Sequence, residues 1–294
     1  MQPRFFTVDV FAERPYSGNP LAVVLDADRF DADSMQRIAA EINYSETTFV
    51  MSAPERGGGW RVRMFTPARE MTFGGHPILG TAWVIRRHLE RNADGPVRLN
   101  VPVGQVRVDF EPTAAGEVAW FTAPPVRLGA TCPAQPIAAA LGITAADIDT
   151  RAPVQQYVAG VAALIVPLRG LDALCRARLD LAAFAPLAAA GFEPLVYLFC
   201  TETRRAGNDL AARFFFEAHG VREDPATGNA AAFLGHHLLE HRFFDRASLS
   251  LRIEQGDEIG RLSLVLLRAR SDGAARAIGV GGSVVPIVEG KLLG

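Results

Sequence analysis

Pro77-Ile78-Leu79-Gly80-Thr81-Ala82 and Pro225-Ala226-Thr227-Gly228-Asn229-Ala230 share the pattern P-x-x-G-x-A, one in each half of the chain. Each copy follows an aromatic, strand-like run, at 61–65 and at 213–216, and each opens an apolar pattern with helical spacing. Because both the letters and their context recur, the sequence predicts a chain built from two similar halves.

A second parallel supports this duplication. The segments 31–50 and 180–200 both read as a helix followed by an apolar strand. Asp31 or Asp33 is placed to cap the first of these helices, since aspartate is a favoured N-cap residue. Duplication of one half, with pseudo-twofold symmetry, explains both parallels.

The amino-acid composition changes between the halves, at 111–136, where prolines occur among glycines and alanines. Such a stretch suits a crossing between domains, and 294 residues exceed the usual length of one domain. We predict an N-terminal domain over 1–122 and a C-terminal domain over 123–278. The segment 279–294, glycine-rich and then β-branched, is a candidate to return to the first domain.

Composition excludes several classes of function. Hydrophobic residues at 49% and charged residues at 21% are ordinary for a soluble globular protein. Thirty basic and thirty-two acidic residues give no basic excess, so nucleic acid is not an expected partner. The N-terminus lacks the pattern of a secretory signal, and the longest apolar stretch, 158–168, is too short for a bilayer and predicts a buried strand. We expect a cytoplasmic protein with no membrane partner.

Metal and cofactor sites are not expected. The cysteines, Cys132, Cys175 and Cys200, are widely spaced and odd in number, which argues against a disulfide framework and a zinc cluster. The segment 237–241 spells H-x-x-E-H, a zinc-peptidase signature, but no downstream glutamate has motif support and histidines are also favoured at helix ends. The glycine runs at 57–59 and 279–282 lack the spacings that cradle phosphates.

Glu46 is the candidate acid/base residue. The helical pattern of 31–42 leads into Asn43-Tyr44-Ser45-Glu46, and the residues 47–51 that follow are β-branched and apolar. Glu46 is therefore predicted where a loop enters a strand, a place at which functional side chains are often presented. The second half has Pro194-Leu195 at the equivalent junction, so one base would shuttle one proton. The plainer interpretation is a solvated loop glutamate.

His76 and Asp224 each lie directly before a proline of the repeat. Since proline is favoured at the first helical position, both residues are predicted at helix starts. If the two helix N-termini face one another across the domain cleft, their free N–H groups form a site for an anion, which indicates a carboxylated substrate. A structural histidine and a plain N-cap aspartate are the alternative interpretations.

Five motifs, taken together and in this order, resemble the phenazine-biosynthesis (PhzF-like) isomerase family. They are Asn19-Pro20-Leu21-Ala22-Val23, Asn43-Tyr44-Ser45-Glu46-Thr47-Thr48-Phe49-Val50, Phe65-Thr66-Pro67, Gly75-His76-Pro77-Ile78-Leu79-Gly80 and Glu223-Asp224-Pro225-Ala226-Thr227-Gly228. The resemblance implies an α+β fold of the diaminopimelate-epimerase-like type, with two pseudo-symmetric domains, each a curved mixed β-sheet wrapped around a central α-helix. It also implies a site in the cleft between the domains, and a homodimer.

The same resemblance implies roles for individual residues. Glu46 matches the family glutamate that moves a proton between two carbons of a dihydro-hydroxyanthranilate without metal or cofactor. His76 and Asp224 match the residues that hold this substrate and assist the proton transfer. Their neighbours in the motifs are expected to bind substrate: Ser45, Gly75, Gly228 and Asn229.

Related epimerases of this fold use two cysteines at the helix starts. Here Gly75 and Ala226-Thr227 occupy those places, so a two-thiol racemase mechanism is excluded. The family usually continues A-T-G with serine, whereas this chain has Asn229, which leaves the identity of the substrate open. The alternatives are a racemase, epimerase or lyase that acts on another small acid through Glu46 alone, and a catalytically silent binding or scaffold protein of the same fold.

Overall fold

The computed structural model describes residues 2–90, 95–114, 116–216, 222–272 and 275–293. The chain divides into two compact units. The first consists of Met1–Thr122 and Gly281–Gly294, and the second of Ala123–Val280. Both units combine strands of mixed direction with a few helices, so the predicted α+β class is confirmed.

The strands are β1 (Arg4–Val10), β2 (Asn19–Val24), β3 (Glu46–Pro54), β4 (Trp60–Phe65), β5 (Glu70–Met71), β6 (Val97–Val101), β7 (Gly104–Thr113), β8 (Gly116–Thr122), β9 (Arg127–Cys132), β10 (Val154–Ala159), β11 (Val161–Pro167), β12 (Val196–Cys200), β13 (Leu210–Phe215), β14 (Glu223–Asp224), β15 (Ser248–Gln255), β16 (Ser263–Asp272), β17 (Ala275–Gly282) and β18 (Val284–Lys291). The α-helices are α1 (Ala32–Ile42), α2 (Gly75–His88), α3 (Ala134–Ala140), α4 (Leu171–Arg176), α5 (Leu181–Ala189) and α6 (Gly228–Glu240).

The first unit is a mixed sheet around helix α2. Its strands pair in the order β18-β1-β2-β3-β4-β6-β7-β8, parallel at β2–β3 and β4–β6 and antiparallel elsewhere. Helix α2 contacts β1, β2, β3, β6, β7 and β8, and its residues are buried on all sides through most of its length. A helix that is apolar all round belongs in a core, so the sequence of α2 accounts for its central place.

The second unit repeats this connectivity around helix α6. Its strands pair in the order β9-β10-β11-β12-β13-β15-β16, parallel at β11–β12 and β13–β15 and antiparallel elsewhere. Helix α6 is buried along nearly its whole length and packs on β11 and β16. The alternation of parallel and antiparallel pairs matches that of the first unit, as expected for a duplicated half.

The helix that precedes β3 and the helix that precedes β12 start in the same way. Asp31 caps α1 by accepting from the Ser34 N–H at 2.8 Å, and Asp180 caps α5 by accepting from the Ala182 N–H at 2.8 Å. An aspartate at this position satisfies N–H groups that lack acceptors within the helix. The predicted parallel between 31–50 and 180–200 is confirmed.

The apolar stretch 158–168 is not one buried strand, as its composition predicts, but belongs to two. Strands β10 and β11 form a hairpin that turns at Gly160, whose φ is 76°. Glycine takes this left-handed conformation without the steric cost that a side chain brings. The glycine within the run is therefore the turn.

The two-residue strands β5 and β14 pair with the ends of β4 and β13 in the same manner. Phe65 lies opposite Glu70, and Phe215 lies opposite Glu223. Two residues before each phenylalanine, an arginine donates two hydrogen bonds to that glutamate. These ladders define which residues of the two units correspond.

The helices that follow these hairpins show that the predicted register of the repeat is wrong. Gly74 and Thr227 are the N-cap residues of α2 and α6, so the two helices correspond from their first residues onward. His76 therefore corresponds to Asn229. It does not correspond to Asp224, as the P-x-x-G-x-A pattern predicts.

Neither proline of the repeat starts a helix. Pro77 is the third residue of α2, and Pro225 precedes the N-cap Thr227 of α6. First-turn N–H groups have no intrahelical acceptor, so proline is tolerated at several positions there and does not fix the helix start. Asp224 occupies the second position of β14, where the first unit has Met71.

Candidate active site

Glu46 is the first residue of β3, and only 5% of it is exposed. Strand β3 runs parallel to β2 and brings Glu46 beside Leu21. The predicted junction between a loop and a strand is confirmed, because residues 43–45 connect α1 to β3. The burial of Glu46 contradicts its interpretation as a solvated loop residue.

His76 lies in the first turn of α2 and is also 5% exposed. Its Nε2 atom is 3.2 Å from Oε2 of Glu46. Its Nδ1 atom is 3.2 Å from Nδ2 of Asn19, the fully buried first residue of β2. Three buried polar side chains from three elements thus form one chain of contacts.

Asn19 determines which nitrogen of His76 carries the proton. An amide NH2 group only donates, so Nδ1 of His76 is the acceptor of the Asn19 contact. In a neutral imidazole the other nitrogen then holds the hydrogen. Nε2, the ring nitrogen nearest the carboxyl group of Glu46, consequently carries the hydrogen.

Burial lowers the pKa of His76 from 6.5 to about 3. The ring is therefore neutral at physiological pH, and its contact with Glu46 is not a salt bridge. The two atoms are at hydrogen-bond distance without the alignment of a full hydrogen bond. Catalytic hydrogen bonds often align only when substrate is bound.

The ring 15N signals of His76 test this arrangement directly. We expect a protonated Nε2, a bare Nδ1 and no titration of the ring between about pH 8 and 5. In Asn19→Asp a negatively charged carboxylate, which only accepts, faces Nδ1. The ring proton should therefore move to Nδ1, and the pKa of His76 should rise. A wild-type ring that titrates near its ordinary pKa would contradict the assignment.

Asp224 is buried in β14, with 5% exposed. The hydroxyl of Thr227 donates to its carboxylate, and the side chain of Gln255 donates to its backbone carbonyl at 2.9 Å. Gln255 also accepts from the Thr227 N–H at 3.3 Å, which fixes the segment between β14 and α6. Asp224 is not the N-cap of α6, since Thr227 has that position.

Tyr197, in β12, is a polar neighbour of Asp224 that the sequence did not single out. It is fully buried, and its ring lies 5.9 Å from that of Phe214. Burial and the charge of Asp224 raise the pKa of Tyr197 above its usual value, so the phenol stays protonated. Its hydroxyl has no hydrogen-bond partner among the described residues. In sequence, a tyrosine within an apolar strand is indistinguishable from an ordinary core residue, so nothing there indicates that Tyr197 lies near Asp224.

The remaining candidate residues lie at the starts of β3, α2 and α6. Ser45 is half-buried and precedes β3, while Gly75 and Gly228 are the buried first residues of the two helices. Asn229 follows in α6, and its Oδ1 atom is buried without a hydrogen-bond partner among the described residues. The first unit thus gathers Glu46, His76 and Asn19, and the second gathers Asp224, Gly228 and Asn229.

The histidines at both ends of the H-x-x-E-H segment contact β10 of the second unit. Nδ1 of His237 is 3.2 Å from the Tyr157 hydroxyl, and Nε2 of His241 is 2.7 Å from Oε1 of Gln155. Glu240 forms an ion pair with an arginine of β17. Within the part of the chain that the structure describes, no group of three or more His, Cys, Asp and Glu side chains is arranged to hold a metal.

Mild acid should destabilise the protein in part through His237, because burial lowers its pKa from 6.5 to about 3. Below about pH 6.5 the unfolded chain binds a proton that the folded protein rejects, so stability falls as pH decreases towards about 3. His237→Gln should lessen this loss by up to about 1.4 kcal/mol per pH unit. Urea unfolding of both proteins near pH 7 and pH 5 measures it, and an equal loss in both would refute this contribution.

The cysteines are free, and none belongs to the candidate site residues. Cys132 and Cys200 are part of an apolar cluster with residues of α3, α4 and α5. Burial raises the pKa of Cys132 to about 11 and that of Cys200 to about 12, so both remain thiols. Inert, buried thiols are typical of core cysteines.

Comparison with known proteins identifies relatives over the whole chain. The family model described as phenazine biosynthesis-like protein matches residues 8–290. The trans-2,3-dihydro-3-hydroxyanthranilate isomerase of Pseudomonas aeruginosa is 34% identical over 291 residues, which cover 98% of each chain. The protein of the same name from Pseudomonas chlororaphis is 34% identical over 298 residues, covering 98% of this chain and 99% of its own.

Solved structures show the same relationship. A Bacillus anthracis phenazine biosynthesis protein of the PhzF family has a TM-score of 0.89 at 26% identity, covering 100% of this chain and 99% of its own. A hydroxyproline epimerase from Agrobacterium vitis has a TM-score of 0.62 at 10% identity, covering 99% and 94% of the two chains. The second likeness shows a common fold alone.

Fold and relatives together define the class of protein as an α+β isomerase with two similarly connected halves. Within that class, the chain belongs to the phenazine biosynthesis-like family, which confirms the resemblance carried by the five motifs. None of the described helices combines the length and the apolar character that a membrane span requires.

Proposed function

We propose that this isomerase moves a proton between carbon atoms of a small carboxylated substrate resembling a dihydro-hydroxyanthranilate, with Glu46 as general acid and base. The observation that carries the proposal is the buried contact of 3.2 Å between Glu46 and Nε2 of His76. Relatives named trans-2,3-dihydro-3-hydroxyanthranilate isomerase support the choice of substrate class.

In the proposed reaction, Glu46 removes a proton from one carbon and returns it to a second carbon. The electron pair left behind spreads into the unsaturated system of the substrate, and no atom is gained or lost overall. Nε2–H of the neutral His76 ring would donate to the carboxylate once substrate aligns the two groups, but the ring would not compete for the proton, because burial lowers its pKa to about 3. Asn19 keeps the ring in the donating tautomer.

Substrate binding is proposed for the starts of α2 and α6. First-turn N–H groups lack intrahelical acceptors, and the helix dipole favours an anion beside them. Gly75 and Gly228 begin the helices without side chains that would cover these groups. Ser45, Asp224 and Asn229 would bind polar substituents of a substrate, as the family resemblance implies. The homodimer and the cytoplasmic location remain predictions.

Asn229 is the observation that favours a different small acid as substrate. Its side chain takes the place of the usual serine, and its Oδ1 atom lacks a hydrogen-bond partner among the described residues. An amide is larger than a hydroxyl and adds a fixed acceptor. A racemase, epimerase or lyase acting on another acid through Glu46 is therefore the second candidate.

Exchange of carbon-bound hydrogen in heavy water, followed by NMR, tests the proposal. The purified protein is incubated with trans-2,3-dihydro-3-hydroxyanthranilate and, separately, with a panel of small cyclic acids and amino acids. Deuterium in the first compound supports the proposed reaction, and deuterium only in another acid favours the second candidate. Binding of these acids without exchange in any of them would overturn both and indicate a silent binding protein.

A further inference from the structure

A cavity of about 390 Å³ lies within the second unit, beside β14. It is on the face of β13 that carries the side chains of Arg213 and Phe215. Its volume falls in the range typical of small-molecule sites. The charged side chains that line it are Arg178, Arg213, Arg222, Glu223 and Glu258.

The cavity and Asp224 lie on opposite faces of this sheet. Glu223 lines the cavity, and Asp224 is the next residue of β14, so their side chains point to opposite sides. Arg213 and Phe214 alternate in the same way on β13: Arg213 reaches backbone carbonyls at the end of α4, whereas Phe214 contacts Tyr197. The cavity is therefore separate from the candidate catalytic residues of this unit.

Three of the charged residues are neutralised by ion pairs within the protein. Arg213 is 2% exposed and donates to both carboxylate oxygens of Glu223, at 2.9 and 2.8 Å. Glu258 forms an ion pair with Arg204 through its Oε1 atom. These pairs form part of the wall of the cavity and contribute little net charge to it.

Arg178 and Arg222 are different, because both are exposed and neither has a carboxylate partner among the residues that the structure describes. Arg178 is held by the backbone carbonyls of Cys175 and Ala177, at 2.8 and 2.7 Å, which bind only one of its terminal nitrogens. A guanidinium group presents a planar fork of donors that suits a carboxylate. The cavity thus favours an anion.

The remaining lining residues favour an anion with an apolar body and a hydroxyl group. Leu179 and Ile259 offer an apolar surface, and Phe215 is buried beneath it. Oε2 of Glu258 is buried without a hydrogen-bond partner among the described residues, with Nε of Arg213 3.8 Å away. A hydroxyl group on a ligand would satisfy this acceptor, which is otherwise costly to bury.

We propose that this cavity is a second ligand site, which binds a small organic acid that carries a hydroxyl group. The carboxylate would meet Arg178 and Arg222, the apolar body would lie on Leu179 and Ile259, and the hydroxyl would donate to Glu258. This site is independent of Glu46 and of the reaction proposed above.

The test uses the full chain with methyl-labelled leucine and isoleucine, and 3-hydroxybenzoate as the probe. The methyl signals of Leu179 and Ile259, identified from their valine variants, should shift saturably. The double variant Arg178→Gln/Arg222→Gln should weaken binding by about tenfold or more, since it removes charge-assisted hydrogen bonds. Benzoate, which lacks the hydroxyl, and 3-hydroxybenzyl alcohol, which lacks the charge, should both bind less tightly.

Matched controls separate this site from others. Arg127→Gln/Arg246→Gln removes two exposed arginines of the same unit that do not line the cavity, and it should leave the affinity unchanged. Glu46→Gln should also leave it unchanged, so a failure of the proposed reaction would not affect this result. Shifts confined to methyl groups elsewhere, or an affinity that survives the Arg178→Gln/Arg222→Gln change, would overturn the proposal.

Discussion

Glu46→Gln should lower the rate of the proposed proton transfer by about a thousandfold, the range in which general acid–base groups contribute. Glutamine has the shape of glutamate and can still accept from Nε2 of His76, so the folded structure and KM should change little. It has no basicity at this position, and thus cannot take the proton from carbon. Turnover and deuterium incorporation into trans-2,3-dihydro-3-hydroxyanthranilate measure the effect.

Glu41→Gln is the matched control, because it makes the same chemical change at an exposed position of α1. It should retain wild-type turnover and exchange. If Glu46→Gln keeps more than about a tenth of wild-type activity, another group must be the base. Loss of thermal stability in Glu46→Gln alone would point to a structural role for this carboxyl group.

The position of Glu46 could be predicted from sequence because local patterns define it. A capped, amphipathic helix ends at Ile42, and β-branched residues begin directly after Glu46, so the change of period locates the junction. Its burial and its contact with His76 depend on the parallel pairing of β3 with β2 and on the central place of α2. Long-range pairing of this kind has no local signature.

The contact of Asn19 with His76 could not be predicted from sequence either. Asn19 lies in a quoted motif, but nothing in that motif indicates that its amide meets a histidine ring on another element. The available signal is a polar residue at the start of an apolar strand, which a turn explains equally well. Only the fold reveals that Asn19 selects the tautomer of His76.

The register of the duplication was wrong for a physical reason. The chain from Phe215 to Glu223 is longer than the chain from Phe65 to Glu70, so a fixed offset that aligns the strands cannot also align the helices. A shared proline attracted the comparison, but proline is tolerated at several positions around a helix start. Strand pairing and helix caps are the better guides.

The second large effect is expected on the free energy of unfolding, at the buried ion pair of Arg213 and Glu223. Arg213→Met should lower the free energy of unfolding by about 3–5 kcal/mol, because it leaves the carboxylate of Glu223 buried without its cation. The side chains of Arg213 and Glu223 are 2% and 6% exposed, so water replaces the lost contacts poorly. Two backbone carbonyls near the end of α4 also lose their donor. Chemical denaturation followed by circular dichroism measures the change.

The first unit supplies the control for this change. Arg63 and Glu70 form the equivalent pair, with two hydrogen bonds of the same kind, but their side chains are 22% and 38% exposed. Arg63→Met should therefore cost only about 0–1 kcal/mol, since water solvates the remaining charge. In the second unit, Arg213→Met/Glu223→Gln should recover part of the loss by removing the unpaired charge. Equal costs for Arg63→Met and Arg213→Met would show that burial of the pair is not what stabilises the second unit.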